Sequence, residues 1–226
     1  METSTVLSNS FTSRAYGGEA NEAQIHTPSV LSGSDGREAP LAARIAAVMR
    51  QGSAAEQIAI LRGLSLHADP GSLLAIAGQA VRSAPRAVFE ALAHDNPYPA
   101  ALFDDALWNE MIVRALRLGC RLSPIEGLDD RRNADLADRL VAFVHERRAA
   151  HRSIDPEVWR CIGPFASDEH FGELLRAFFS GGVKTRMAAA IALSECPTPE
   201  ALAALETAPM LWHEIRHGRL WWDRVG

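Results

Sequence analysis

Residues 96–164 read NPYPAALFDDALWNEMIVRALRLGCRLSPIEGLDDRRNADLADRLVAFVHERRAAHRSIDPEVWRCIGP. The fold is decided here. Leu107, Met111 and Arg114 fall along one edge of a helix, and Trp108, Ile112 and Ala115 along the next. Two prolines flank Tyr98, remove backbone donors and hold the tyrosine in place, so the run 95–99 reads as a break. A long helix is predicted to follow as far as Arg117, stopped by Gly119. Cys120 to Arg132 reads as a loop. Asn133 then caps a helix through Ala150, with Leu136, Leu140, Phe143 and Val144 turned to the core. Arg114, on an otherwise apolar face, reads as a snorkelling side chain rather than a buried anchor.

Working outward, the same signals recur. Pro40 opens a helix carrying Leu41, Ile45 and Val48, and Ser53 with Glu56 forms a capping-box pattern. Asp69-Pro70 is a second start, and Pro85 begins a short helix through His94. Downstream, Asp155-Pro156 starts a short helix bearing Trp159 and Arg160, ended by Gly163-Pro164; Ser167 caps another. Residues 183–195 form a small-residue helix and Pro199 opens a second, the kind of pair that HEAT-type solenoids stack. The expected fold is all-α, an irregular stack of helix pairs over residues 40–226. Residues 1–39, polar and without an apolar period, read as a disordered polar tail, with a partner-binding arm as the functional alternative.

Composition narrows the function. Hydrophobic residues make up 47% of the 226, enough for a sizeable core, and the net charge is −5. That balance argues against a nucleic-acid or anionic-membrane surface, while leaving room for a local arginine pocket. No apolar run reaches roughly 18 residues, and the N-terminus lacks a signal pattern, so no transmembrane segment is expected and the location reads as cytoplasmic. Cys120, Cys161 and Cys196 are widely spaced and odd in number. They fit buried small hydrophobes better than a disulfide framework or zinc knuckle.

Chemistry-bearing side chains crowd the same central stretch. Arg147, Arg152 and Arg160 are candidates to hold an anionic group in fork geometry. His145 or Glu146 would serve as acid or base, and Tyr98, Trp108 and Trp159 as walls. The structural alternative is a polar network in which Glu146 or Asp129 pairs with arginines to tie loop 120–133 to helix 134–150. His213-Glu-Ile-Arg-His217 is literally H-E-x-x-H, which places two imidazoles on one helical face. It reads as accidental: Arg216 sits inside it, a third zinc ligand is missing, and only nine residues follow. Neither a Gly-rich phosphate loop nor a nucleophile motif appears, so no metal and no cofactor is expected. Trp221-Trp222 reads as a terminal element docking onto the core.

The segments Asn96-Pro-Tyr-Pro-Ala100, Trp108-Asn-Glu-Met111, Gly127-Leu-Asp129, Arg131, Asn133, His145-Glu-Arg147, Ala149-Ala150 and Trp159-Arg160 together resemble the EboA-domain family. The resemblance covers roughly residue 41 to the end and is strongest over 96–165. It implies a soluble bacterial protein encoded beside a membrane prenyltransferase, a metal-dependent hydrolase, a cyclase and a sugar-isomerase-like protein. Such clusters are associated with making, or moving across the inner membrane, a small secondary metabolite. No catalytic residue carries over. The family-matching positions are Tyr98, Trp108, Asn109, Asp129, Arg131, Asn133, His145, Glu146, Arg147, Trp159 and Arg160. Where the family pattern has Gln, Lys, Phe and Trp, this chain has Glu110, Arg114, Arg117 and Arg148.

The leading expectation is therefore an accessory protein binding a small anionic or prenylated pathway intermediate, or a partner enzyme of the same cluster, through the polar centre. The alternatives are an isomerase or hydrolase using His145 and Glu146, and a pure scaffold.

Overall fold

Polar residues at helix starts and glycines at helix ends divide this chain into short helices, as local capping chemistry dictates. The structure, a computed structural model, describes residues 40–196 and 198–225; the tail expected over 1–39 lies outside them. The helices are α1 Leu41–Gln51, α2 Ala54–Arg62, α3 Leu74–Ser83, α4 Arg86–Ala93, α5 Pro97–Leu102 and α6 Asp105–Leu118. After a long loop come α7 Ala134–Ala149, α8 Asp168–Ser180, α9 Val183–Ser194, α10 Pro199–Glu206 and α11 Pro209–Arg216. Short 3-10 turns join them, and the fold is all-α, with no strand among the described residues.

The caps explain the boundaries. The Ser53 hydroxyl accepts the Glu56 amide at 3.3 Å and Glu56 accepts the Ser53 amide at 2.8 Å, closing the expected box. Gly119 ends α6 at φ 69°, a left-handed conformation that an L side chain would strain. The Asn133 side chain accepts the Leu136 amide and starts α7.

Three expectations are corrected. Asp69-Pro70 opens only a 3-10 turn, Pro70–Leu73, with no side-chain cap from Asp69, and α3 begins at Leu74. The proline pair is less a break than the first turn of α5: Asn96 accepts the Tyr98 amide, and a proline in a first turn lacks only an amide that had no partner anyway. The long helix is split at Phe103, because Asp104 takes the Leu107 amide at 2.8 Å and starts α6 afresh.

Asn109 near the start of α6 meets Asn133 and Asp135 at the start of α7, and Arg117 at the end of α6 meets Glu146 at the end of α7. The two helices thus run in the same direction, and residues 119–133 carry the chain back. Packing is continuous from α2 against α4, α3 against α6, α6 against α7 and α7 against α8 to α9. Helix α9 is buried along Ala188–Leu193, and its small side chains let α8, α10, α11 and the turns at 156–165 pack around it. Gly163 lies on its backbone, where an added Cβ would come 2.4 Å from the Ala192 carbonyl oxygen. Besides α9 with α10, the pair read from 183–206, sequence neighbours α1 with α2, α3 with α4, α8 with α9 and α10 with α11 also pack together.

Candidate functional site

The polar residues of the central stretch do not share one pocket; they resolve into separate networks. Tyr98 is buried and donates to the Pro70 carbonyl at 2.7 Å. Burial, with Asp69 nearby, pushes its phenol up to about 12, so it stays a neutral donor. Asn109 is buried and donates to Asn133 (3.0 Å) and Asp135 (2.9 Å), while Asn133 returns a bond to Asn109. Arg131 lies over the Trp108 ring at 4.7 Å and donates to the Pro99 and Ala100 carbonyls and to Asp105. Trp108 and Trp159 are core residues, buried to 1% exposure or less, rather than walls of a cavity.

A second network ties the central loop to the C-terminal half. Arg160 grips Asp129 through two bonds of 2.8 Å. Arg132 reaches Glu195 at 2.6 Å and the Arg160 carbonyl at 2.9 Å. Burial works to raise the Asp129 carboxyl, but the bonds from Arg160 and the charges of both arginines outweigh it and hold it below the usual range. A third network joins α7 to α8: Glu173, nearly buried, accepts from Arg148 at 3.0 and 2.5 Å and lies 3.1 Å from His145 Nε2.

The anticipated arginine fork is therefore not assembled. Arg147 donates to the Ser153 carbonyl, Arg152 is exposed at the chain turn after α7, and Arg160 is committed to Asp129. His145 and Glu146 part as well, one facing Glu173 and the other Arg117, since successive helical residues point about 100° apart. The pairing expected from the structural alternative is present, though Asp129 bonds Arg160 and Glu146 bonds Arg117 rather than tying the loop to α7. Arg114 is an anchor, not a snorkeller: it donates to the Arg82 and Ala84 carbonyls at 2.5 and 2.8 Å, satisfying the exposed end of α3.

What the helices do assemble is a groove. On α6, Glu110, Val113, Arg114 and Arg117 are spaced i, i+3, i+4, i+7; on α7, Arg139, Ala142, Phe143 and Glu146 repeat that spacing. With α6 and α7 side by side, the two stripes face one opening of about 630 Å³, completed by Arg82 at the end of α3. A second arm of about 380 Å³ shares Arg82, Glu110 and Arg139 and runs on past Leu74, Gly78 and Leu107. The first arm sets four arginines against two glutamates, a basic strip on a chain of net charge −5. The charges are paired but lightly: Arg82 with Glu110 at 3.0 Å, Arg117 with Glu146 at 2.6 Å, Arg139 with Asp135 at 2.8 Å, all largely exposed.

Burial pushes the Cys161 thiol up to about 12 and the Cys120 thiol to about 11, so neither is a thiolate at neutral pH. In the H-E-x-x-H segment, Glu214 is held by Arg219 through bonds of 2.8 and 2.9 Å, and His217 Nδ1 lies 2.7 Å from the His213 carbonyl. Among the described residues, no three His, Cys, Asp or Glu side chains cluster to hold a metal ion. Trp222 docks in the core while Trp221 is partly exposed.

Sequence reasoning missed Arg82, Arg139, Glu157 and Glu173. The repeated i, i+3, i+4, i+7 stripes at 110–117 and 139–146 were a usable signal for the groove. Glu157 and Glu173 gave none, since their partners lie 25 or more residues away.

Comparison with curated proteins and with solved structures gives no match. A family model described as metabolite traffic protein EboA matches residues 23–163. The match begins inside the segment set apart as a tail and stops before α8, so α8–α11 lie outside it while the whole groove lies within. With more than half of its residues covered, the chain belongs to the EboA metabolite traffic family.

Proposed function

We propose that this chain is a non-catalytic accessory protein that binds a small organic anion in the groove between α3, α6 and α7. The observation that carries this reading is the pair of facing stripes on α6 and α7, which brings four guanidinium groups to one opening beside apolar side chains. Guanidinium forks recognise carboxylate and phosphate, and a mainly preformed cleft of this volume suits a small molecule. Membership of a metabolite traffic family supports it. The ligand is then an intermediate of the pathway the family serves, held on the cytoplasmic side and passed between partner enzymes of the same gene cluster. Of the residues singled out from sequence, Glu110, Arg114, Arg117 and Glu146 line this groove, and Asn109 and Asn133 bond α6 to α7 beside it.

The test is a titration of the purified protein and of Arg117→Gln with small organic anions. Binding by the wild type and its loss in a folded Arg117→Gln protein is the expected result. Equal binding by both removes the groove from the account. An acid–base role retains one observation, the half-exposed His145 beside Glu173; turnover abolished by His145→Gln with binding intact would favour it.

A further inference from the structure

Resting on the groove reading above, we infer that Glu146 and Glu110 are internal stand-ins for the ligand. The ligand is then an organic anion with a two-oxygen head, carboxylate or phosphate, on a compact apolar body. Glu146 meets Arg117 through both oxygens, Oε1 at 3.3 Å and Oε2 at 2.6 Å, which is the fork a ligand carboxylate or phosphate would use. Arg117 does not depend on that carboxylate for its position, because its guanidinium also rests over the Phe143 ring at 5.7 Å. Glu110 meets Arg82 through a single bond of 3.0 Å.

Both pairs are open to water, at 52% and 51% side-chain exposure for Arg117 and Glu146, so each contributes little and an external anion displaces it easily. Arg114 behaves differently. Its guanidinium is fixed by backbone carbonyls, which carry no formal charge, so its positive charge is not cancelled by a carboxylate and adds to the field a ligand meets. Val113 and Ala142 line the same groove and offer the apolar body a surface, while Phe143, 4% exposed, lies beneath Arg117.

This makes the two carboxylates competitors of the ligand rather than catalytic groups, and it fixes the sign of their removal. Isothermal titration with phenyl phosphate, benzoate, inorganic phosphate and benzyl alcohol tests it, using wild type, Glu146→Gln and Arg117→Gln. Both variants should keep the wild-type circular dichroism and melting, since both positions are on the helix surface. The expected result is that Glu146→Gln binds the aromatic anion about three- to fivefold more tightly than wild type, the size of one exposed ion pair. Arg117→Gln should lose it. The tighter of phenyl phosphate and benzoate identifies the head group, and both should exceed inorganic phosphate and benzyl alcohol. Unchanged or weaker binding by Glu146→Gln, with Arg117→Gln still inactive, overturns the displacement while the groove stands. Inorganic phosphate bound as well as phenyl phosphate overturns the apolar body. Failure of wild type and Glu146→Gln to bind any probe overturns the groove itself.

Discussion

Glu157 shows what a single buried charge does here. It is 1% exposed, and its carboxylate accepts the Leu122 amide at 2.7 Å and the Ser123 amide at 3.1 Å, stitching the return loop to the turn at Pro156–Cys161. Replacing it by Gln sets an amide donor against a backbone donor. We expect Glu157→Gln to lose about 2 kcal/mol of unfolding free energy in a urea titration; a change under about 0.5 kcal/mol, the level of an ordinary surface substitution, would mean the loop is held by something else. Asp129 gives a pH-dependent counterpart. Its folded-state carboxyl is depressed, so its stabilising effect is complete above the ordinary aspartate value near ~4 and is lost as pH falls through the lower folded value. At neutral pH Asp129→Asn should cost about 1 kcal/mol after allowing for its partial exposure. The gap between wild type and variant should narrow as pH falls below the ordinary aspartate value, and a gap that stays constant through that fall would contradict the assignment. These residues could be named from sequence as carriers of charge. Their partners could not, because pairs such as Asp129 with Arg160 or Arg132 with Glu195 are 31 and 63 residues apart and only the fold brings them together.

At the scale of elements, local chemistry was the readable part. Ser53 with Glu56, Gly119 and Asn133 place boundaries as their types predict, because a cap is made within four residues. The misses differ. Phe103-Asp104 splits what the apolar period joins, because Asp104 caps a fresh helix that the period alone does not report, and Asp69 leaves its cap unmade. Close approach is set by packing. Gly163 touches the backbone of α9 at Ala192, so Gly163→Ala must push the turn at 163–165 off the core helix. We expect a loss of about 1–3 kcal/mol, read as a lower melting temperature; an unchanged or higher one would show that the contact is looser than described. The groove belongs to this scale too. Its stripes were written in the sequence at 110–117 and 139–146, but only the parallel pairing of α6 and α7 makes them face one another.

At the scale of the molecule, the polar centre that dominates the sequence is mostly scaffolding. It fixes α6 on α7 and the central loop on the C-terminal half, and the surface it leaves open is the arginine groove beside it. No helix among the described residues is long and apolar enough to cross a membrane. Helices α8–α11 lie beyond the family match, and the exposed Phe179, Val183 and Met210 are found there, away from the groove residues in sequence. On the proposed reading, the groove holds a small anion through its guanidinium groups and the apolar side chains beside them. The most direct measurement is native mass spectrometry of wild type and Arg117→Gln after exposure to a small-molecule extract of the cells that make the protein. The account predicts an added mass of a few hundred daltons on the wild type, of the size a cleft of this volume admits, and its absence from a folded Arg117→Gln protein. The same mass retained by both proteins, or none on either, would contradict it.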